Sequence, residues 1–299
     1  MGLAQSTARS QAGGLADGTT QWLSNSWSEL QPSGKAKRRR RHQGSSASLA
    51  ELAQQPARLK NLVAPGGPPI VVALLDSGID TDHHQSLSNS LWNNSKESAD
   101  GIDNSKNGMI DDITGWNFVG NNPWTNDDEG HGTMMASIIT RQAPMVRLMN
   151  LKVMDANGTA NMRYISAAID YAVENDADVI NLSLGARSSD ASVTRAIEKA
   201  LEAGVIVVAA SGNNGGKKSL FPANVPGVWS AGATDRKGNI KEWSNGGQGK
   251  GPQHVLIHGT KLKALKMGGG NGHTTGTSAA AAHLSGLFAN LLYLQQNQR

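Results

Sequence analysis

Between residues 70 and 234, short apolar runs alternate with amphipathic stretches, and this alternation constrains the fold more than any other feature of the chain. The runs fall at 70–75, 146–154, 178–185, 204–210 and 227–234. Val205, Ile206, Val207 and Val208 are apolar without interruption, as a parallel strand covered on both faces must be. Between the runs, Ile165, Ala168, Ile169, Ala172 and Val173 recur at helical spacing. Val193, Ala196, Ile197, Ala200 and Leu201 do the same, and Gly204 closes that helix. The pattern predicts a three-layer, doubly wound α/β domain with a mainly parallel sheet. In such sheets the chemistry gathers at the carboxyl ends of the strands.

Residues 1–64 read as a poorly ordered leader, and the domain is expected to span 65–299, beginning at the turn Pro65-Gly66-Gly67-Pro68-Pro69. Residues 48–62 could add a short helix to the leader. Met1 to Ser6 fits the N-myristoylation pattern, which is short enough to arise by chance. The net charge of +4 is concentrated in Lys35, Lys37, Arg38, Arg39, Arg40 and Arg41. That run reads as a solvated cluster, a nucleic-acid or nuclear-localisation patch, or a cleavage site between leader and body. No aromatic residue interleaves it, the rest of the chain is nearly balanced, and no nucleic-acid partner is expected. The absence of cysteine excludes disulfides and thiol chemistry. No apolar run is long enough to span a bilayer, and no signal-peptide core is visible.

Four residues stand where chemistry would be expected. Asp76 follows the run 70–75, and Ser77-Gly78 permit a tight turn behind it. His131 lies between two glycines, which clear space around its ring, and precedes the apolar helix 134–139; none of the other seven histidines has this setting. Asn213 follows the run 204–210, where it is either a turn residue or an amide aimed into a site. Ser278 stands between the glycine-rich loop 268–276 and an alanine-rich helix with Leu284, Leu287, Phe288, Leu291 and Leu292 on one face. Alone, such a serine reads as a helix cap. A base, an orienting acid and an oxyanion donor make it a candidate nucleophile.

Asp, His, Asn and Ser in that order, each at an element end, resemble the subtilases, the subtilisin-like serine proteases of peptidase family S8. Asp76-Ser77-Gly78, Gly130-His131-Gly132-Thr133 and Gly276-Thr277-Ser278 resemble the family's three catalytic motifs. Residues 179–185 resemble its substrate-binding strand, and Ser211-Gly212-Asn213 its oxyanion segment. The likeness covers about residues 70–290. Where the family usually has Met-Ala-Ser-Pro-His after the serine, this chain has Ala279-Ala280-Ala281-Ala282-His283. The calcium loop many members carry after the histidine helix is expected to be absent. The chain also stops soon after the serine helix, so the family's usual C-terminal segments are expected to be missing.

The resemblance implies a subtilisin-like fold and a serine endopeptidase, with a catalytically impaired peptide-binding relative as the alternative. It makes Ser278 the nucleophile, His131 the general base, Asp76 its orienting acid and Asn213 an oxyanion donor. Ser183, Leu184 and Gly185 would pair with an extended polypeptide substrate, and Gly212 would leave the first specificity pocket open. No acid lies in those substrate segments, so broad or apolar preference is expected. No cofactor is needed for the chemistry. The polar stretch 92–130, too long for an ordinary connection, suggests a functional or metal-stabilised excursion. Its Asp103, Asn107 and Asp111 suggest a structural calcium, although Thr114 replaces the twelfth-position acid of a calcium loop. The resemblance further implies a monomer and an extracellular location.

Overall fold

A computed structural model describes residues 69–248 and 253–297. The chain divides into two units, Met1–Val63 and Ala64–Arg299, and every described residue lies in the second. The leader, its basic run, the helix expected at 48–62 and the myristoylation pattern therefore lie outside the described residues.

Nine strands and five helices follow one another as β1 (Val71–Asp76), α1 (Gln85–Ser88), β2 (Gly115–Asn117), α2 (His131–Gln142), β3 (Arg147–Lys152), α3 (Met162–Glu174), β4 (Val179–Leu182), α4 (Ala191–Glu202), β5 (Ile206–Ala210), β6 (Trp229–Thr234), β7 (Gln253–His258), β8 (Leu262–Leu265), β9 (Asn271–Thr274) and α5 (Thr277–Asn297) among the described residues. Seven strands form one sheet in the order β2-β3-β1-β4-β5-β6-β7. All six pairings in it are parallel. β8 and β9 form a separate antiparallel pair. The sequence order reverses around β1, so the loops after β1, β3 and β4 open on one crevice.

Each layer follows from its side chains. Ala73, Leu75, Met149, Leu151, Ile180, Leu182, Val207 and Ala209 alternate along their strands and bury one sheet face together with the stripes of α3 and α4. Asn161 caps α3 through Arg163 N–H, and Asp190 caps α4 through Ser192 and Val193 N–H, each worth about 1 kcal/mol.

The opposite face is covered differently. α5 packs on β4, β5, β6 and β7 while α2 lies against α5. The single apolar face expected for α5 gives way to a helix buried on all sides for its first four turns, with Ala279, Ala280, Ala281 and Ala282 fully enclosed and Leu291 and Leu292 only half-buried. Small residues permit this double contact: a Cβ on Gly286 would lie 2.7 Å from Cβ of Gln142 on α2.

The excursion 92–130 returns to the sheet as the edge strand β2. The glycine-rich loop expected before Ser278 is the turn of the β8–β9 hairpin plus β9 itself.

Candidate functional site

Asp76 ends β1, and its register partner on β3 is Lys152. The Asp76 carboxylate is buried; Oδ1 accepts from Ser77 N–H at 2.9 Å and meets His131 Nδ1 at 2.8 Å. Oδ2 is enclosed without a hydrogen-bond partner among the described residues. With Nδ1–H donating to Asp76, the imidazole leaves Nε2 as its free acceptor. Burial pushes His131 down, but the charge and hydrogen bond of Asp76 outweigh it; Glu129 and Asp127 add to the pull, and the net result is a rise from 6.5 to about 9.

The segment carrying His131 is locked to the segment carrying Asp76. Ser77 Oγ accepts Gly132 N–H at 2.9 Å and donates to Asp127 Oδ1 at 2.8 Å. Asp127 in turn accepts from the N–H groups of Glu129, Gly130 and Thr133 and from the Thr133 hydroxyl. Burial alone would raise the Asp127 carboxyl; those bonds hold it below the ordinary value. Gly130, the N-cap of α2, supplies no side-chain cap, so Asp127 satisfies the first turn instead. Gly132 serves a different purpose from clearing the ring: a Cβ there would lie 2.1 Å from the Gly78 carbonyl oxygen. The two motifs touch backbone to backbone. Lys152 closes the frame, its buried ammonium donating to the Ser77 carbonyl and pairing with Asp128, both at 2.5 Å.

Ser278 is the second residue of α5, and its hydroxyl caps no helix amide; it donates to the Ser183 carbonyl at 2.9 Å. Capping falls to Asn213, whose Oδ1 accepts Thr277 N–H at 2.9 Å and the Thr277 hydroxyl at 3.0 Å. A backbone N–H can only donate, so the atom facing it is the amide oxygen, and Nδ2 donates to no group among the described residues. Thr277 Oγ1 also accepts Gly212 N–H at 3.1 Å, tying the turn after β5 to the start of α5. From β4, buried Asn181 accepts the Ser285 hydroxyl and donates to Ser183 Oγ, which donates to the Ser278 carbonyl.

Ser183 is the shared neighbour of the two halves. It holds the Ser278 hydroxyl, and with His131 it lines an open cleft of ≈ 290 Å³, whose wall includes Met154, Met162, Ile165 and Leu184. No hydrogen bond joins Ser278 to His131 among the described residues. Leu184, half-buried, and Gly185, exposed, continue past β4, and Ala186 pairs with Phe221.

Asp103, Asn107 and Asp111 fold onto their own loop. Asp103 accepts from Asn107 and Gly108 N–H, Asn107 from Met109 N–H, and Asp111 from Asp100 and Gly101 N–H. Behind them lie two residues that the motif search passed over. Buried Asp112 accepts from Tyr171 Oη at 2.6 Å, Asn107 Nδ2 at 3.0 Å and Asn94 Nδ2 at 3.2 Å. Its carboxyl is raised by burial, against the bonds from Tyr171 and Asn107, and further by the charge of Glu97. Glu97 Oε2 is buried without a hydrogen-bond partner among the described residues.

Sequence reasoning singled out Asp76, His131, Asn213 and Ser278, read Ser77 only as a turn residue, and passed over Asp127, Glu129 and Lys152 as parts of the frame. A signal for Asp127 was present: an acid six residues before Thr133, across a glycine, is positioned to cap the helix.

The description Subtilase family fits residues 67–298 as a family model. Over 184 residues the chain is 33% identical to alkaline elastase YaB of Bacillus sp. (strain YaB), covering 58% of this chain and 48% of that protein. It is also 33% identical over 184 residues to subtilisin Savinase of Lederbergia lenta, covering 58% and 67%. The match thus spans about half the length of some of these relatives. The solved structure of the prenylagaramide maturation protease PagA superposes with a TM-score of 0.65 at 29% identity, covering 81% of each chain. A parallel sheet reversing at β1, an Asp–His pair at its carboxyl edge and a family match over almost the whole described domain lead to one conclusion: the chain belongs to the subtilase family.

Proposed function

We propose that the protein is a serine endopeptidase acting through an acyl-enzyme. The observation that carries this reading is the 2.8 Å bond between the Asp76 carboxylate and His131 Nδ1, which fixes the imidazole tautomer. Ser278 Oγ leaves the Ser183 carbonyl and attacks the scissile carbonyl carbon. His131 Nε2 takes the hydroxyl proton and delivers it to the leaving amine. Asp76 holds the ring and stabilises the imidazolium. Negative charge on the carbonyl oxygen meets Asn213 Nδ2 and Ser278 N–H at the positive end of α5. The peptide lies extended along Ser183, Leu184 and Gly185, adding a strand, and Gly212 keeps the neighbouring wall low.

The Ser278 hydroxyl resting on Ser183 also favours a second reading, a peptide-binding relative without turnover. A fluorophosphonate probe separates the two. The protease is labelled, and Ser278→Ala abolishes both labelling and cleavage, the latter by about 10⁶ in kcat, the size of the corresponding loss in subtilisin. Folded wild-type protein that stays unlabelled would leave only the binding reading.

We also propose a structural calcium in the excursion. The orphaned Glu97 oxygen and the neighbouring Asp112 carboxylate fit a hard cation, with Asp103, Asn107 and Asp111 supplying further oxygens. Among the described residues no three His, Cys, Asp or Glu side chains converge as a metal cage, so backbone and amide oxygens would complete the shell. Calcium would offset the two buried charges and take no part in the peptide chemistry. Millimolar calcium is expected to raise the melting temperature by a few degrees in a thermal scan, and Glu97→Gln to remove the increment.

A further inference from the structure

We infer that the cleft beside His131 selects a cationic substrate side chain, and that Glu129 is the residue that reads it. This rests on the peptide-cleft reading above and gives it a substrate class. Glu129 lines the cleft together with His131, Met154, Met162, Ile165 and Leu184. Its Oε2 accepts the backbone N–H of His131 at 2.8 Å, which fixes the direction of the carboxylate. Its Oε1 takes no donor from the described residues and faces Gly158, where an added Cβ would sit 3.7 Å away. The neighbouring acids are engaged elsewhere: Asp127 is saturated by its own loop and Asp128 pairs with Lys152. Among the described residues, no lysine or arginine lines the cleft. A wall of methionine, isoleucine and leucine ending in one free carboxylate oxygen matches a long aliphatic stem with a charged head, the shape of lysine and arginine.

The substrate segments themselves, 183–185 and 211–213, contain no acid. The charge comes from the histidine motif, across the cleft. The chain itself carries a matching sequence in its run 35–41, and a peptide of residues 34–42 is a natural first probe.

The test compares peptides that differ only by arginine or citrulline, which keeps the shape and removes the charge. The substitution is scanned through the four positions before the scissile bond. The wild type reads kcat/KM ratios, and Ser278→Ala reads affinity ratios by fluorescence anisotropy. Arginine should be favoured about fivefold at one position, the scale of a partly exposed ion pair. The ratio should fall toward one in 1 M salt and in Glu129→Gln. Because both peptides meet the same enzyme, any general effect of the substitution on His131 cancels. A ratio of one at every position, or a preference that survives both Glu129→Gln and high salt, overturns the inference. If Ser278→Ala shows the preference while the wild type shows no turnover, the subsite stands and the protease reading falls.

Discussion

The two halves of the site are built to different tightness. Around Asp76 and His131, bonds from Ser77, Asp127, Gly132, Thr133 and Lys152 interlock, and two glycine backbones are in contact. Around Ser278 the backbone is equally fixed, through Asn213, Thr277 and Ser183, but the hydroxyl rests on a carbonyl and one amide N–H₂ is free. Under the proposed mechanism the base is assembled before substrate arrives, whereas the nucleophile must exchange one acceptor for another. In unliganded sites the catalytic hydrogen bonds are often unmade until substrate is bound. That mechanism would need the rigidity at the imidazole, whose tautomer and angle must be right for two successive proton transfers. A serine hydroxyl needs only one torsion to turn.

Three measurements bear on this contrast. Removing the free donor of the loose half, Asn213→Ala, should cost about 10²–10³ in kcat, as the loss of one such donor does in subtilisin, with KM little changed. A rise in KM alone, with kcat unchanged, would mean that the amide binds substrate and does not read the oxyanion. The tight half sets the pH profile. Under the proposed mechanism His131 must be neutral to accept a proton, and its folded value is raised to about 9, so kcat/KM should climb nearly tenfold in the first unit above pH 7 and gain about 50-fold between pH 7 and pH 9. A limb near 6.5 would show that Asp76, Glu129 and Asp127 do not hold the proton as tightly as the geometry implies. The smallest change is structural. Asp127→Ala leaves the first turn of α2 uncapped and should lower stability by about 2 kcal/mol by chemical denaturation, with a loss of activity on the order of tenfold as His131 loses its frame. Unchanged activity at reduced stability would place the orientation of the imidazole in Asp76 alone.

What the sequence disclosed, and what it withheld, follows from the range of the interactions. Val205 to Val208 and the stripes of α3 and α4 are local patterns, so the parallel sheet and its helices could be read directly. Asp76, His131, Asn213 and Ser278 stood out because each sits at an element end within two positions of a glycine. The frame behind them did not, because Ser77 meets Asp127 across fifty positions and Lys152 meets the Ser77 carbonyl across seventy-five. Strands β7, β8 and β9 are short, polar or glycine-rich, and their pairing with distant partners overrides weak local propensity. The all-round burial of α5 was hidden for a related reason: alanine is apolar enough for a core and small enough for two close neighbours, and periodicity alone does not distinguish these roles.

The Asp76–His131 bond also sets activity and durability against each other along the pH axis. A histidine whose folded value lies above its unfolded one contributes stability below about 6.5 and gives it up as pH rises through about 9. Under the proposed mechanism, the charge that must leave the imidazole for catalysis is the same charge that helps fasten α2 to β1. The protein is therefore expected to be held most firmly where it is nearly idle and to work fastest where that ionic fastening has been released, leaving the neutral hydrogen bond and the contact between Gly78 and Gly132 to keep the two motifs together.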